Sequence, residues 1–260
     1  MRTGSFVRIG LYIALAVGLL AGCSFRGGMF KATFTRSEEL SAPLAGITAL
    51  DVTTEVGKIR LEAADVSEAR IVADIKVRAG SEEEAQELAE MVRVTVESTG
   101  QTLAVKALKP KEFGHNQLCV DLTIDVPASL ALDCTTNVGD IRIAGFSNRI
   151  EARTNVGSIA CTGLRDGAKL ETNVGDIRAA YVTDAPAALD FTAATDVGSI
   201  EFTGPKEISA NLTAGTSVGD IDTDRPLTVR GSLKQSIKAS LGNGEGQIRL
   251  RTNVGSIKIR

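Results

Sequence analysis

The stretch TNVGDI at residues 172–177 decides how this chain is read, because it does not stand alone. TNVGDI recurs at 136–141, TNVGSI occurs at 154–159 and 252–257, and looser copies occupy 54–59, 195–200 and 216–221. The motif glycines are Gly57, Gly139, Gly157, Gly175, Gly198, Gly219 and Gly255. Their middle spacings of 18, 18, 23 and 21 residues mark a stacked architecture, in which each repeat is one supersecondary unit. The last gap, 36, fits two coils of 18 with the intermediate motif degenerated.

Residue parity around each glycine describes the unit. Seven and five positions upstream lie apolar pairs such as Leu132/Cys134, Ile150/Ala152, Ala168/Leu170, Phe191/Ala193, Leu212/Ala214 and Ile248/Leu250. The residues between them are mostly polar, and Ile141, Ile159, Ile177, Ile200, Ile221 and Ile257 lie two positions after the glycine. Alternation of this kind is the signature of a strand with one buried face. The pattern is strand, turn, strand: the fold class expected is mainly β, a parallel β-solenoid with short coils of about 18 residues. Glycine takes positive φ freely and asparagine tolerates it, so Asn-Val-Gly suits a sharp corner. In this reading Val fills the corner core, the Thr hydroxyl bonds turn backbone, and Asn137, Asn155 and Asn173 stack as an amide ladder. Folding alone explains the repeat, and no ligand is needed for it.

Upstream the pattern changes. Ser81 and Glu84 form a capping box before Ala85, Leu88, Ala89 and Val92 at helical spacing, predicting one amphipathic helix over about 81–92. Residues 29–129 read as a β-rich region containing that helix, and 130–260 as repeats continuous with it. At the N-terminus, Arg2 and Arg8 precede an apolar run from Ile9 to Leu20, the layout of an export signal and too short for a comfortable membrane span. Leu20-Ala21-Gly22-Cys23 resembles the lipobox of bacterial lipoproteins. That resemblance implies a signal peptide at 1–22, a lipidated Cys23, and a short tether at 23–28. Removing 1–22 takes away two arginines and no acid, moving the formal charge from −3 to −5. Ser24 after the cysteine favours an outer-membrane address by the same resemblance.

The repeated TNVGDI and TNVGSI turns, with the ending LGNGEGQIRLRTNVGSIKI at 241–259, resemble the bacterial putative-adhesin family of β-strand-repeat domains of unknown function. The resemblance spans roughly Ala45 to Arg260. It implies an exported, cell-surface parallel β-helix, and no particular ligand. The role expected from the whole reading is non-enzymatic: adhesion, surface interaction or scaffolding in the envelope. The partners expected are the membrane, through the lipid, and an envelope protein or polysaccharide. A polysaccharide-active β-helix enzyme and an envelope-stress sensor component are the alternatives.

Composition excludes several chemistries. With no Trp and 4% aromatics, an aromatic ligand platform is not expected, and a net charge of −3 without a basic block argues against nucleic acid. His115 is the single histidine, so histidine-based catalysis and histidine metal clusters are not expected. A pectate-lyase-like site needs several converging acids, and here the acids are spread singly over outward positions. Calcium-binding β-rolls use a double-glycine nonapeptide that is missing here. No catalytic residue, metal or cofactor is therefore assigned. Besides Cys23 three cysteines remain, an odd number that makes no complete disulfide framework. Cys134 and Cys161 fall on inward positions as small core hydrophobes, whereas Cys119 has outward parity. After the glycine the later copies run Asp140, Ser158, Asp176, Ser199, Asp220, Ser256. If the units stack in chain order, serine keeps neighbouring carboxylates apart, which suits a fold avoiding an acidic ladder.

Overall fold

A computed structural model describes residues 32–225, 228–233 and 235–260. The lipobox-like segment and Cys23 lie outside the described residues. Two large sheets face each other, one of 10 strands and one of 11, and one helix lies at Glu82–Met91. Each motif glycine joins a strand of one sheet to a strand of the other. The Gly157 unit, for example, is Ile150–Val156 followed by Ile159–Leu164. The Gly175 unit is Ala168–Val174 followed by Ile177–Tyr181.

Successive units pair in parallel with identical register. Ile150 lies opposite Ala168, Ala152 opposite Leu170 and Thr154 opposite Thr172, and Ile159 lies opposite Ile177 in the second sheet. The spacing of the hydrophobic pattern sets this register, because a slip of one residue would turn every inward side chain outward. The inward residues of the two sheets form one core, in which Cys134 and Cys161 are buried. Tyr181, Phe191 and Phe202 make its main aromatic cluster, with ring centroids 4.9–6.1 Å apart. The connection from the Gly139 unit to the next buries Phe146 completely.

The chain does not stack in sequence order. Along the sheet of first strands, the Gly255 unit (Gly246–Val254) lies between the Gly198 unit (Asp190–Val197) and the Gly219 unit (Ala210–Val218). The 36-residue gap is not a degenerate coil. It holds the antiparallel pair Thr228–Leu233 and Ser236–Leu241, which extends the sheet beyond the Gly219 unit. The other end repeats the device. The Gly57 unit (Ala49–Val56, Ile59–Ala63) lies between the Gly139 unit and the later strands Thr102–Ala107 and Gln117–Val126.

Beyond Gln117–Val126 the second sheet becomes antiparallel through Glu68–Ala79 and Ala32–Pro43. The helix packs on these two strands through Ala85, Leu88 and Ala89. Ser81 caps it by accepting from the Glu84 N–H at 3.2 Å, and the Glu84 carboxylate accepts from the Gly80 N–H at 3.1 Å. At the other end Arg36 donates to the Ala89 and Val92 carbonyls, closing two C-terminal acceptors of the kind a helix leaves open. No helix among the described residues is long and apolar enough to cross a membrane.

Candidate interaction surface

The corner is built around one carbonyl. All seven motif glycines have φ between +144° and +153°, a region open to glycine and strained for other residues. A Cβ on Gly175 would stand 2.0 Å from the Gly157 carbonyl oxygen, and one on Gly139 would stand 1.9 Å from the Gly57 oxygen. The same carbonyl accepts the threonine hydroxyl of the next unit: Thr172 to Gly157 at 2.9 Å, Thr154 to Gly139 at 3.1 Å, Thr252 to Gly198 at 2.8 Å. These threonines are buried, so the bond removes a desolvation cost that a free hydroxyl would carry. Thr and Gly, three residues apart, thus close on a neighbouring unit's oxygen rather than on their own turn.

Two parts of the corner differ from the sequence reading. Among the described residues none other than glycine has positive φ, so the asparagine position is extended strand rather than turn. Asn155 donates to Asn137 at 3.4 Å, a link of the amide ladder, and Asn253 donates to the Asp196 carboxylate at 2.8 Å. Val does not fill the corner core. Val138, Val156, Val174, Val197 and Val254 are 46–48% exposed, with Val56 at 39% and Val218 at 61%. Threonine takes the inward place; strict alternation would bury Val with it, but the alternation breaks at the corner, where Asn and Val are both exposed. The valines form an exposed file along one edge of the molecule, each in register with its neighbours.

The position after the glycine also has a role that sequence reasoning missed. Its side chain accepts the backbone N–H of the corresponding residue in the next unit: Asp140 from Ser158 at 3.0 Å, Ser158 from Asp176 at 3.3 Å, Asp176 from Ser199 at 2.9 Å. Asp121, on the strand Gln117–Val126 beside the Gly57 unit, accepts from Lys58 in the same way at 2.7 Å. Repetition of short acceptor side chains at this place was the available signal. In spatial order the residues are Asp121, Lys58, Asp140, Ser158, Asp176, Ser199, Ser256 and Asp220. The insertion of the Gly255 unit breaks the alternation, yet no two acids are neighbours.

The outward face of the first-strand sheet carries an asymmetric charge pattern. Asp51, Asp133 and Glu151 stand in one register row. Arg153 bridges this group, reaching Glu151 at 2.6 Å, Glu171 at 3.1 Å and Asp133 at 3.7 Å. Hydrogen bonding from Arg153 holds the Glu151 carboxyl below its ordinary range, whereas partial burial raises Asp133. Further along, the same row continues through Lys169 and Thr192 to Arg249, and the neighbouring row through Ala194 to Arg251. Among the described residues no group of three or more His, Cys, Asp or Glu is placed to hold a metal ion. His115 is exposed. Cys119 is half-buried, its thiol raised by burial and by the neighbouring Asp121, and burial pushes Cys161 up to about 12.

A family model for Toastrack DUF4097 domains matches residues 35–260, covering the two sheets described above. The chain belongs to the Toastrack DUF4097 family. No curated protein matches it. A solved structure from Clostridium sporogenes, described as a putative cell adhesion protein, is similar over 87% of this chain and 99% of its own, with 14% identity and a TM-score of 0.55. A putative adhesin from Bacteroides fragilis matches over 89% of this chain and 99% of its own, with 15% identity and a TM-score of 0.42. A putative lipid binding protein from Parabacteroides distasonis covers 87% and 96% at 11% identity, with a TM-score of 0.27. At these identities the first likeness speaks for the fold alone. This Toastrack chain therefore shares its architecture with a protein described by adhesion, and its own surface has to carry the functional argument.

Proposed function

We propose that this Toastrack protein is a non-enzymatic interaction module of the cell envelope, its two sheets read as a β-solenoid-like stack and held at the membrane by a lipid on Cys23. The observation that carries the reading is the surface itself. Every unit repeats the same exposed valine and the same outward strand positions about 4.8 Å from its neighbours, giving a flat, periodic face suited to an extended partner. The Clostridium sporogenes protein of similar fold is described by cell adhesion, which points the same way. An acid-catalysed lyase or hydrolase is disfavoured by how the carboxylates are used. Hydrogen bonds from Arg153 and Arg149 hold the Glu151 carboxyl below its ordinary range, ionised rather than available to donate a proton, and Glu171 and Glu201 are engaged in ion pairs with arginine or lysine.

Photo-cross-linking in living cells tests the interaction. A photoreactive residue placed at Val174 on the exposed file is expected to give adducts with an envelope protein or polysaccharide. Absence of adducts from the exposed file, together with polysaccharide cleavage by the purified full chain, would reverse the assignment. The anchor is tested separately: Cys23→Ser should abolish acyl labelling and move the protein out of the detergent phase. Unchanged labelling of that variant would remove the lipid from the proposal.

A further inference from the structure

Arg249 and Arg251 differ from most arginines on the two faces. Arg149, Arg153, Arg178 and Arg260 are each within ion-pair distance of a carboxylate. Arg249 and Arg251 have no such partner among the described residues, and both are exposed. They project from the same side of one strand, two residues apart, so their Cα atoms stand about 6.6 Å from each other. The strand is the inserted one. Its neighbours place Thr192 and Thr213 beside Arg249, and Ala194 and Gly215 beside Arg251. These small side chains leave a groove of about 420 Å³ whose lining includes Arg249, Arg251 and Ser236. Lys238, opposite Thr213 on the next strand, adds a third exposed cation. On a chain of formal charge −3 this is a local positive field that draws an anion to one end of the face.

From this geometry we propose that the groove binds an acidic polysaccharide, carboxylates on successive sugars engaging Arg249 and Arg251. The inference rests on the envelope-interaction reading and specifies its partner. Each guanidinium is a planar fork that takes a carboxylate through two parallel N–H bonds, and free forks in a row select anions in a row. The hydroxyls of Thr192, Thr213 and Ser236 offer donors and acceptors to sugar hydroxyls. A protein partner would need a pocket for a buried aromatic or aliphatic anchor, and a floor of Thr, Ala and Gly provides none.

The test uses the full chain in detergent micelles, titrated calorimetrically with polygalacturonate, neutral dextran and poly-glutamate. Polygalacturonate is expected to bind with an affinity that falls as salt rises, and dextran is expected not to bind. Arg249→Gln with Arg251→Gln should weaken polygalacturonate binding by about tenfold or more, the loss expected for charge-assisted forks. Arg142→Gln, which removes the same charge from the opposite sheet, should change it by less than about twofold. Equal losses from the two variants, or a wild type that ignores polygalacturonate, would overturn the groove. Binding of poly-glutamate as tightly as polygalacturonate would overturn the sugar partner. The wild-type comparison among the three polymers needs no variant to fold. If polygalacturonate fails while photo-adducts still form at Val174, the groove is wrong and the interaction reading stands.

Discussion

At the scale of single residues, the corner concentrates its energy on one carbonyl oxygen per unit. Gly175→Ala is expected to destabilise the fold by about 3 kcal/mol or more, since a methyl at φ +151° is strained and would stand 2.0 Å from the Gly157 oxygen. Thr172→Val removes the hydroxyl that the same oxygen accepts, and should cost about 1–2 kcal/mol, the range for an unsatisfied buried partner. Val174→Thr should change stability by less than about 0.5 kcal/mol, because that side chain is half in water. Denaturant melts of the three variants check the order, and a costly Val174→Thr would return the valine to the core. The thiols give a second test. Cys119 should react slowly with iodoacetamide at neutral pH because its thiol is raised, while Cys134 and Cys161 should react only on unfolding. Fast labelling of Cys161 in the native protein would place it outside the core.

At the scale of the element, adjacent units are neighbours in charge as well as in hydrogen bonding. Ser158→Asp would set a carboxylate between Asp140 and Asp176, each about 4.8 Å away. A modest loss of stability is expected, shrinking as salt rises, and a salt-independent loss would assign the effect to packing. The outward row adds a pH dependence whose sign follows from its two carboxyls. Glu151 is lowered in the folded state, so its stabilisation is present above its unfolded pKa and is lost as pH falls through the folded value. Asp133 is raised, so its ionisation opposes folding above its folded pKa, and the penalty is relieved as pH falls. At neutral pH Glu151→Gln should therefore lower the melting temperature and Asp133→Asn should raise it slightly. Both changes should shrink in acid, and the reverse order at neutral pH would contradict the assignment.

At the scale of the whole molecule, both ends are locked by chain insertion. The Gly255 unit lies between the Gly198 and Gly219 units, so deleting residues 242–260 removes a strand from inside each sheet rather than from an edge. Such a truncation should abolish the cooperative melt, because the strands on both sides lose their ladder partners and expose the core together. A truncated chain melting within a few degrees of wild type would mean that the two flanking units can pair directly. Beyond the Gly219 unit, the pair at Thr228–Leu233 and Ser236–Leu241 extends the first-strand sheet, and the helix with its antiparallel strands packs at the opposite end.

The sequence by itself determined the unit. Period-2 alternation names the buried residues, and Thr-x-Val-Gly fixes a turn that only glycine can make, since both are local consequences of strand geometry and backbone sterics. It also showed the parity that buries Cys134 and Cys161. What only the tertiary structure decided is which unit lies against which. Parallel partners of equal register present nearly the same ladder to one another, so the local pattern of Gly255 fits beside Gly198 as well as beside Gly219. The choice rests on how the long connections and end strands close the two sheets. The carbonyl shared by Thr and Gly follows from that stacking, because the spatially neighbouring unit supplies the oxygen, 15 residues back for Thr172 and 54 back for Thr252. The unpaired arginines depend on it too: the inserted strand alone brings Arg249 and Arg251 between neighbours without an acid.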